Sequence, residues 1–155
     1  LRANISIAQP QANEAEIGLA VERAALANFV AELPDGLDTQ VGERGVALSG
    51  GQKQRLTLAR AIARSPAVLI LDDALSSVDA ATEKRILDEL DGLMADRTTI
   101  IISHRVSAVR RASRIAVVEE GRIVETGTHD ELATAGGIYA EMFQRQRLAD
   151  ELEAM

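Results

Sequence analysis

The run Ala67-Val68-Leu69-Ile70-Leu71, closed in front by Pro66 and behind by Asp72-Asp73, sets the tightest limit on the fold. Five consecutive apolar residues do not alternate between a buried and a wet face. They read as a strand covered on both sides, the pattern of a parallel sheet. Residues 98–102, Thr-Thr-Ile-Ile-Ile, form a second such strand, rich in β-branched side chains. A charged amphipathic stretch at about 80–95 lies between them and predicts a helix. Strand, helix and strand in that order imply an α/β sheet with a right-handed crossover. Aromatic residues are limited to Phe29, Tyr139 and Phe143, so the core must come from Ala, Val, Ile and Leu.

The segment before this sheet is helical. Apolar residues at Ile17, Ala20, Val21, Ala24, Ala25 and Leu26 predict one helix over 13–31, ended by the turn Leu33-Pro34-Asp35-Gly36. A second helix starts at Ser49 and runs to about residue 64, stopped by Pro66. Beyond the second strand, a short helix is expected over 105–111. Residues 115–119 and 122–125 flank Glu120-Gly121 as a hairpin. Helices near 129–134 and 137–152 close the chain, the last as a terminal docking helix. There is no internal repeat.

Composition excludes several classes of function. Acidic residues outnumber basic ones, 24 to 17, for a net charge of −7, which disfavours general nucleic-acid binding. Arg105, Arg110, Arg111 and Arg114 cluster, but no aromatics interleave with them, so they read as a solvated face. The absence of cysteine removes disulfides, thiol catalysis and Cys-based zinc sites. His104 and His129 are the only histidines, too few for a His-rich metal cage. No apolar run reaches the roughly 18–20 residues of a membrane span. The first residue is Leu1 rather than Met, which is expected of a chain that begins inside a longer protein.

In open α/β sheets, sites gather at the carboxyl ends of strands. One strand here ends at Asp72-Asp73 and the other at Ser103-His104. A carboxylate in that place suits Mg²⁺, a second one can orient or deprotonate a water, and an imidazole can contact a terminal phosphate. By texture alone, Asp72 as a turn cap and His104 as a helix cap serve equally well. Leu48-Ser49-Gly50-Gly51-Gln52 is more informative. Ser49 and Gln52 have capping-box spacing, and two glycines at a helix start let another group approach the backbone. The N–H groups and dipole there favour an anion. Lys53 and Arg55 oppose that dipole and suggest a phosphate or acidic partner nearby; an ordinary capped helix is the plainer alternative. The only lysines, Lys53 and Lys84, follow Gln52 and Glu83, so no Gly-x-x-x-x-Gly-Lys phosphate cradle occurs in these residues.

These segments together resemble the ATP-binding-cassette (ABC) ATPases. LSGGQ at 48–52 resembles the signature motif, AVLILDD at 67–73 the Walker B strand, SSVD at 76–79 the D-loop, and His104 the switch histidine. VGERG at 41–45 and GRIVETGTHDEL at 121–132 resemble exporter segments, multidrug-type subunits above all. The resemblance covers essentially the whole chain. It implies a partial P-loop NTPase (RecA-like) core with a mostly parallel sheet and a helical subdomain, the Walker A part lying upstream of Leu1. Residues 1–66 would be the helical subdomain and 67–155 the rear of the core.

The same resemblance implies ATP and Mg²⁺ as ligands, with Asp72 holding the metal and His104 sensing the γ-phosphate. Ser49, Gly50, Gly51 and Gln52 would touch ATP on an opposite subunit in a head-to-tail dimer, and Asp79 would line that contact. A transmembrane domain at the cytoplasmic face of the membrane would be the further partner. Asp73 stands where the family usually has the catalytic Glu, one methylene longer. That departure resembles the slower site of heterodimeric exporters. Gln9-Pro10 looks like the family's glutamine loop but follows LRANISIA, too late in the order. A soluble ABC ATPase acting on DNA or ribosomes, and a non-catalytic interaction fragment, are the alternative functions.

Overall fold

The structure is a computed structural model and describes residues 1–42 and 45–153. Two compact units divide the chain, Leu1–Ile100 and Ile101–Met155.

In the first unit, α1 (Arg2–Ser6), α2 (Glu14–Arg23) and α3 (Ala27–Ala31) precede a short 3-10 turn at Gly36–Asp38. The long helices α4 (Gly50–Ala63) and α5 (Ala80–Ala95) flank the strand β1 (Val68–Asp72) in sequence, and β2 (Thr98–Ile102) begins in this unit and ends in the second. Helix α4 packs on α1 and α2, and α5 on α2. Their apolar faces bury Ile5, Ile17, Ala20, Val21, Leu56, Ala59, Ile62, Ile86 and Leu90, and Leu26 between α2 and α3 is buried as well. Arg2 ties the helix starts together, bonding Glu14 and donating from Nε to Asp38 at 2.7 Å. The starts of α2, α4 and α5 are each capped by a side chain, from Asn13, Ser49 and Asp79. Such caps satisfy backbone N–H groups that a helix start leaves over.

The helix predicted over 13–31 is two helices. Ala25 N–H donates to Glu22 O at 2.8 Å and Leu26 N–H to Val21 O at 2.9 Å, a Schellman ending. Its left-handed residue is Ala25, at φ +53°, where glycine is the usual choice. The chain turns there and restarts as α3.

The strands correct a second expectation. β1 and β2 pair in a small parallel sheet, as expected of a strand–helix–strand unit. Leu69 and Leu71 are buried, but Val68 and Ile70 are 52% and 60% exposed. Ile100 and Ile102 are exposed as well. The apolar run is suited to two-sided burial, and the described residues cover one side of it.

In the second unit, α6 (Val106–Val109) leads to a hairpin of β3 (Ile115–Glu119) and β4 (Arg122–Gly127), then α7 (His129–Thr134) and α8 (Ile138–Glu153). The hairpin is antiparallel and turns at Glu120 and Gly121, both at positive φ, as a two-residue turn of this kind requires. Val106, Ile115, Leu132 and Tyr139 form the core. His129 Nδ1 meets the Tyr139 hydroxyl at 2.8 Å and its ring stands edge-on to Phe143, so this histidine serves packing. The early part of α8 is anchored through Tyr139 and Ala140, while Leu148 and Leu152 are exposed.

Candidate functional site

The best-defined constellation begins where α4 starts. Ser49 has extended backbone angles (φ −65°, ψ 166°), and its Oγ accepts the Gln52 N–H at 3.2 Å. Gln52 Oε1 accepts the Ser49 N–H at 2.9 Å. This is the capping box read from the spacing, complete in both directions. The box occupies the N–H groups of Ser49 and Gln52. The N–H groups of Gly50 and Gly51 have no partner among the described residues. Two such donors on a 14-residue helix, at the positive end of its dipole, suit an anion.

The two glycines do different work. A Cβ on Gly51 would lie 2.8 Å from the Ser77 carbonyl oxygen, closer than real Cβ atoms come. Gly51 therefore lets the loop after β1 lie against the helix start. A Cβ on Gly50 would meet the Ser77 side chain at an ordinary 3.6 Å. The close approach inferred from the glycine pair is thus made, for Gly51, by this chain's own backbone.

That loop carries the acidic residues. Asp72 ends β1, Asp73 follows at φ +44°, and both are exposed. The turn closes through Ser76 N–H to Asp73 O at 3.1 Å and Val78 N–H to Leu75 O at 3.0 Å. Asp79 then caps α5, accepting the Thr82 N–H at 2.9 Å. Hydrogen bonding from the Thr82 backbone, with further help from its side chain, holds the Asp79 carboxyl below its ordinary value.

Gln54 joins helix and loop, and nothing in its sequence spacing signalled it. Its Nε2 donates to Ser76 Oγ at 2.8 Å, and its Oε1 accepts the Ser77 N–H at 2.8 Å. Ser49, Gly50, Gly51, Gln52, Asp73 and Asp79 are therefore organised around one helix start and one loop.

The placement of Arg55 suggested a nearby phosphate or acidic partner, and the Asp79 carboxylate interacts with it electrostatically, while Nη1 donates to Ala25 O at 2.7 Å and Nε to Gly51 O at 3.4 Å. Arg85 Nη2 reaches the same Ala25 oxygen at 3.3 Å. The two guanidiniums satisfy the carbonyl at the Schellman ending. Burial, with Arg85 nearby, lowers the Arg55 pKa from its ordinary value.

In the second unit, His104 is exposed and lies two residues beyond β2. Ser103 Oγ accepts the Arg105 N–H at 3.0 Å, and the first amide of α6, Val106 N–H, donates to Gln146 Oε1 of α8 at 2.7 Å. Among the described residues no group of three or more His, Asp or Glu could hold a metal. None of their helices is long and apolar enough to cross a membrane. Glu43 and Arg44 of the VGERG segment lie outside the described residues, as do Ala154 and Met155 of the tail.

The family profile described as ABC transporter matches residues 4–76, from α1 through the signature helix to Ser76. ABC transporter B family member 1 of Arabidopsis thaliana is 47% identical over 97% of this chain. The chain belongs to the ABC transporter family. Another relative, the uncharacterized ABC transporter ATP-binding protein YknU of Bacillus subtilis, is 49% identical over 94% of the chain. An ATP-binding/permease protein of Staphylococcus aureus, named for multidrug export, is 47% identical over 96% of it. Among solved structures, a bacterial Atm1-family ABC exporter with ATP bound superposes at a TM-score of 0.83, with 43% identity over 94% of this chain and 25% of that one. The ABC chain described here spans 12%, 25% and 26% of the lengths of the three relatives. The α/β architecture matches part of an ABC nucleotide-binding domain of the P-loop NTPase fold.

Proposed function

We propose that this chain is part of the ATP-binding and ATP-hydrolysing component of an ABC exporter. In that reading it works at the cytoplasmic face of a membrane and couples ATP to export of a solute. The observation that carries it is the start of α4. Two glycine N–H groups without partners among the described residues are presented inside LSGGQ, in a chain similar to an exporter solved with ATP bound.

Ser49, Gly50, Gly51 and Gln52 would bind the phosphates of an ATP carried mainly by a second ABC subunit. Backbone N–H groups and the helix dipole suit that charge. Asp79 would line the contact between the two subunits. Asp72 is an exposed carboxylate at the carboxyl end of β1. It fits Mg²⁺, which takes one or two protein carboxylates and fills its shell with water and phosphate oxygens. The bound ion would neutralise charge on those oxygens. Asp73 would orient the attacking water and take its proton as the bond from the γ-phosphorus to the bridging oxygen breaks. His104 would donate a hydrogen bond to the γ-phosphate. Residues 1–66 would form the helical subdomain toward a transmembrane partner, and 67–155 the rear of the core. The short carboxylate at Asp73 supports a heterodimer in which this subunit holds the slower site.

The test uses the intact protein in its membrane preparation. Mg²⁺-dependent ATP hydrolysis should be present, and Asp72→Asn should remove the share of it that belongs to this subunit's own site. Recovery in the soluble fraction without hydrolysis would sink the reading. Calorimetric titration of Mg-ATP into the 155-residue chain should show no binding at millimolar nucleotide, because no Gly-Lys phosphate cradle lies within it.

A further inference from the structure

Two backbone hydrogen bonds close the turn from Asp73 to Val78, and one of its amides is held from outside the turn. Ser76 N–H goes to Asp73 O and Val78 N–H to Leu75 O. Ser77 N–H falls between these two bonds, and its acceptor is Gln54 Oε1 at 2.8 Å, 23 positions back on the signature helix. The other end of the same amide, Nε2, donates to Ser76 Oγ at 2.8 Å and makes a long 3.5 Å contact with Asp73 O. The amide orientation is fixed by its partners, since only oxygen can accept from the backbone N–H and only nitrogen can donate to a carbonyl. One turn of α4 earlier, Gly51 lies against Ser77 O, so helix and loop meet at two successive levels. The residue so held, Asp73, stands at φ +44°, a left-handed conformation that costs a non-glycine residue energy and needs support from its surroundings.

We propose that Gln54 is a positioning residue. It locks the loop bearing Asp73 and Asp79 to the helix that begins with the signature segment. The carboxylate then moves with the helix start that would meet nucleotide. The inference rests on the function proposed above for its catalytic half only; the bracket itself is independent of it.

Two substitutions in the intact protein separate the contributions. Gln54→Met keeps volume and loses both ends of the amide, whereas Gln54→Glu keeps the acceptor for Ser77 N–H. In nucleotide-free protein, Ser77 amide exchange should accelerate roughly tenfold in Gln54→Met and stay protected in Gln54→Glu, while the Ser76 and Val78 amides change less. In ATP hydrolysis, Gln54→Met should lower kcat roughly 10–100-fold with KM for ATP little changed, and Gln54→Glu should fall between it and the unmodified protein. Unchanged Ser77 exchange in Gln54→Met overturns the bracket. Faster exchange with unaltered kcat, or a loss confined to KM, overturns the positioning role. If the unmodified protein hydrolyses no ATP, the proposed function and the catalytic half fail together, and the exchange result still decides the bracket.

Discussion

The Cα of Gly51 and the carbonyl oxygen of Ser77 are so close that a Cβ on the glycine would sit 2.8 Å from that oxygen. Neither neighbour can yield cheaply, because one is a helix backbone and the other a turn backbone. Gly51→Ala should therefore destabilise the protein by roughly 1–3 kcal/mol, the usual range for overpacking. Gly50→Ala, with an ordinary 3.6 Å approach to the Ser77 side chain, should change stability little. Denaturant melts of the two variants compare them directly. Equal effects would mean the loop is not seated on the helix.

Ser49 and Gln52 satisfy each other's backbone N–H groups. Ser49→Ala removes the side-chain acceptor and should cost about 1 kcal/mol. Ser49→Asn or Ser49→Asp should recover most of it. A stability loss shared equally by all three variants would assign Ser49 a role other than capping.

Asp79 is charged when it caps α5, and its carboxyl is held below the ordinary value by Thr82. A lowered folded value stabilises the fold above the unfolded carboxylate pKa, about 3.9, and that contribution is lost as pH falls through the folded value. Asp79→Asn keeps an oxygen acceptor but does not titrate. The stability difference between the two proteins should be constant near neutral pH and shift against aspartate below about pH 4. Urea midpoints collected down the pH scale would reveal it. A difference independent of pH would remove Asp79 from the acid response.

Ser65 follows the last turn of α4 at φ +46° and is exposed. It occupies the left-handed position where helices commonly end in glycine. Ser65→Gly should relieve backbone strain and stabilise by about 1 kcal/mol, because little side-chain packing is lost. A lowered melting temperature would show that the serine side chain does more than the angles indicate.

Asp73 is one methylene short of the glutamate common in the family. Asp73→Glu in the intact protein should raise turnover at this subunit's own site by roughly 10²–10⁴-fold, seen as a rise in total ATP hydrolysis, if reach to the water is what limits it. At about 1.4 kcal/mol per decade, that gain exceeds the cost of order 1 kcal/mol for a bulkier residue at positive φ. ATP turnover and melting of the same samples should therefore move in opposite directions. An unchanged rate would remove the slow-site proposal.

Local chemistry explains what could be read in advance. The Ser49–Gln52 box, the strands around 68–72 and 98–102, the hairpin at Glu120-Gly121 and the last two helices all appear near their expected residues. Each rests on neighbours within a few positions: a cap, a β-branched run, a turn residue of permitted φ. The break at Ala25 had no such signal. A left-handed helix ending normally announces itself with glycine, and here alanine adopts it. Arg55 and Arg85, 30 and 60 positions away, supply the donors that satisfy its carbonyl.

The amino-acid sequence by itself determined the helix starts at Asn13 and Ser49, the parallel strand pair, the hairpin and the family, because these depend on local spacing or on motifs in order. Tertiary structure decided which neighbour each polar group met. It turned Arg55 inward to Ala25, set Gly51 against Ser77 and brought Gln54 to the Ser77 amide. It also left Val68 and Ile70 exposed, though their run of apolar neighbours suits burial on both faces. A hydrogen bond or a close contact between residues 20 to 60 positions apart exists only once the backbone brings them together, and no local period encodes that meeting.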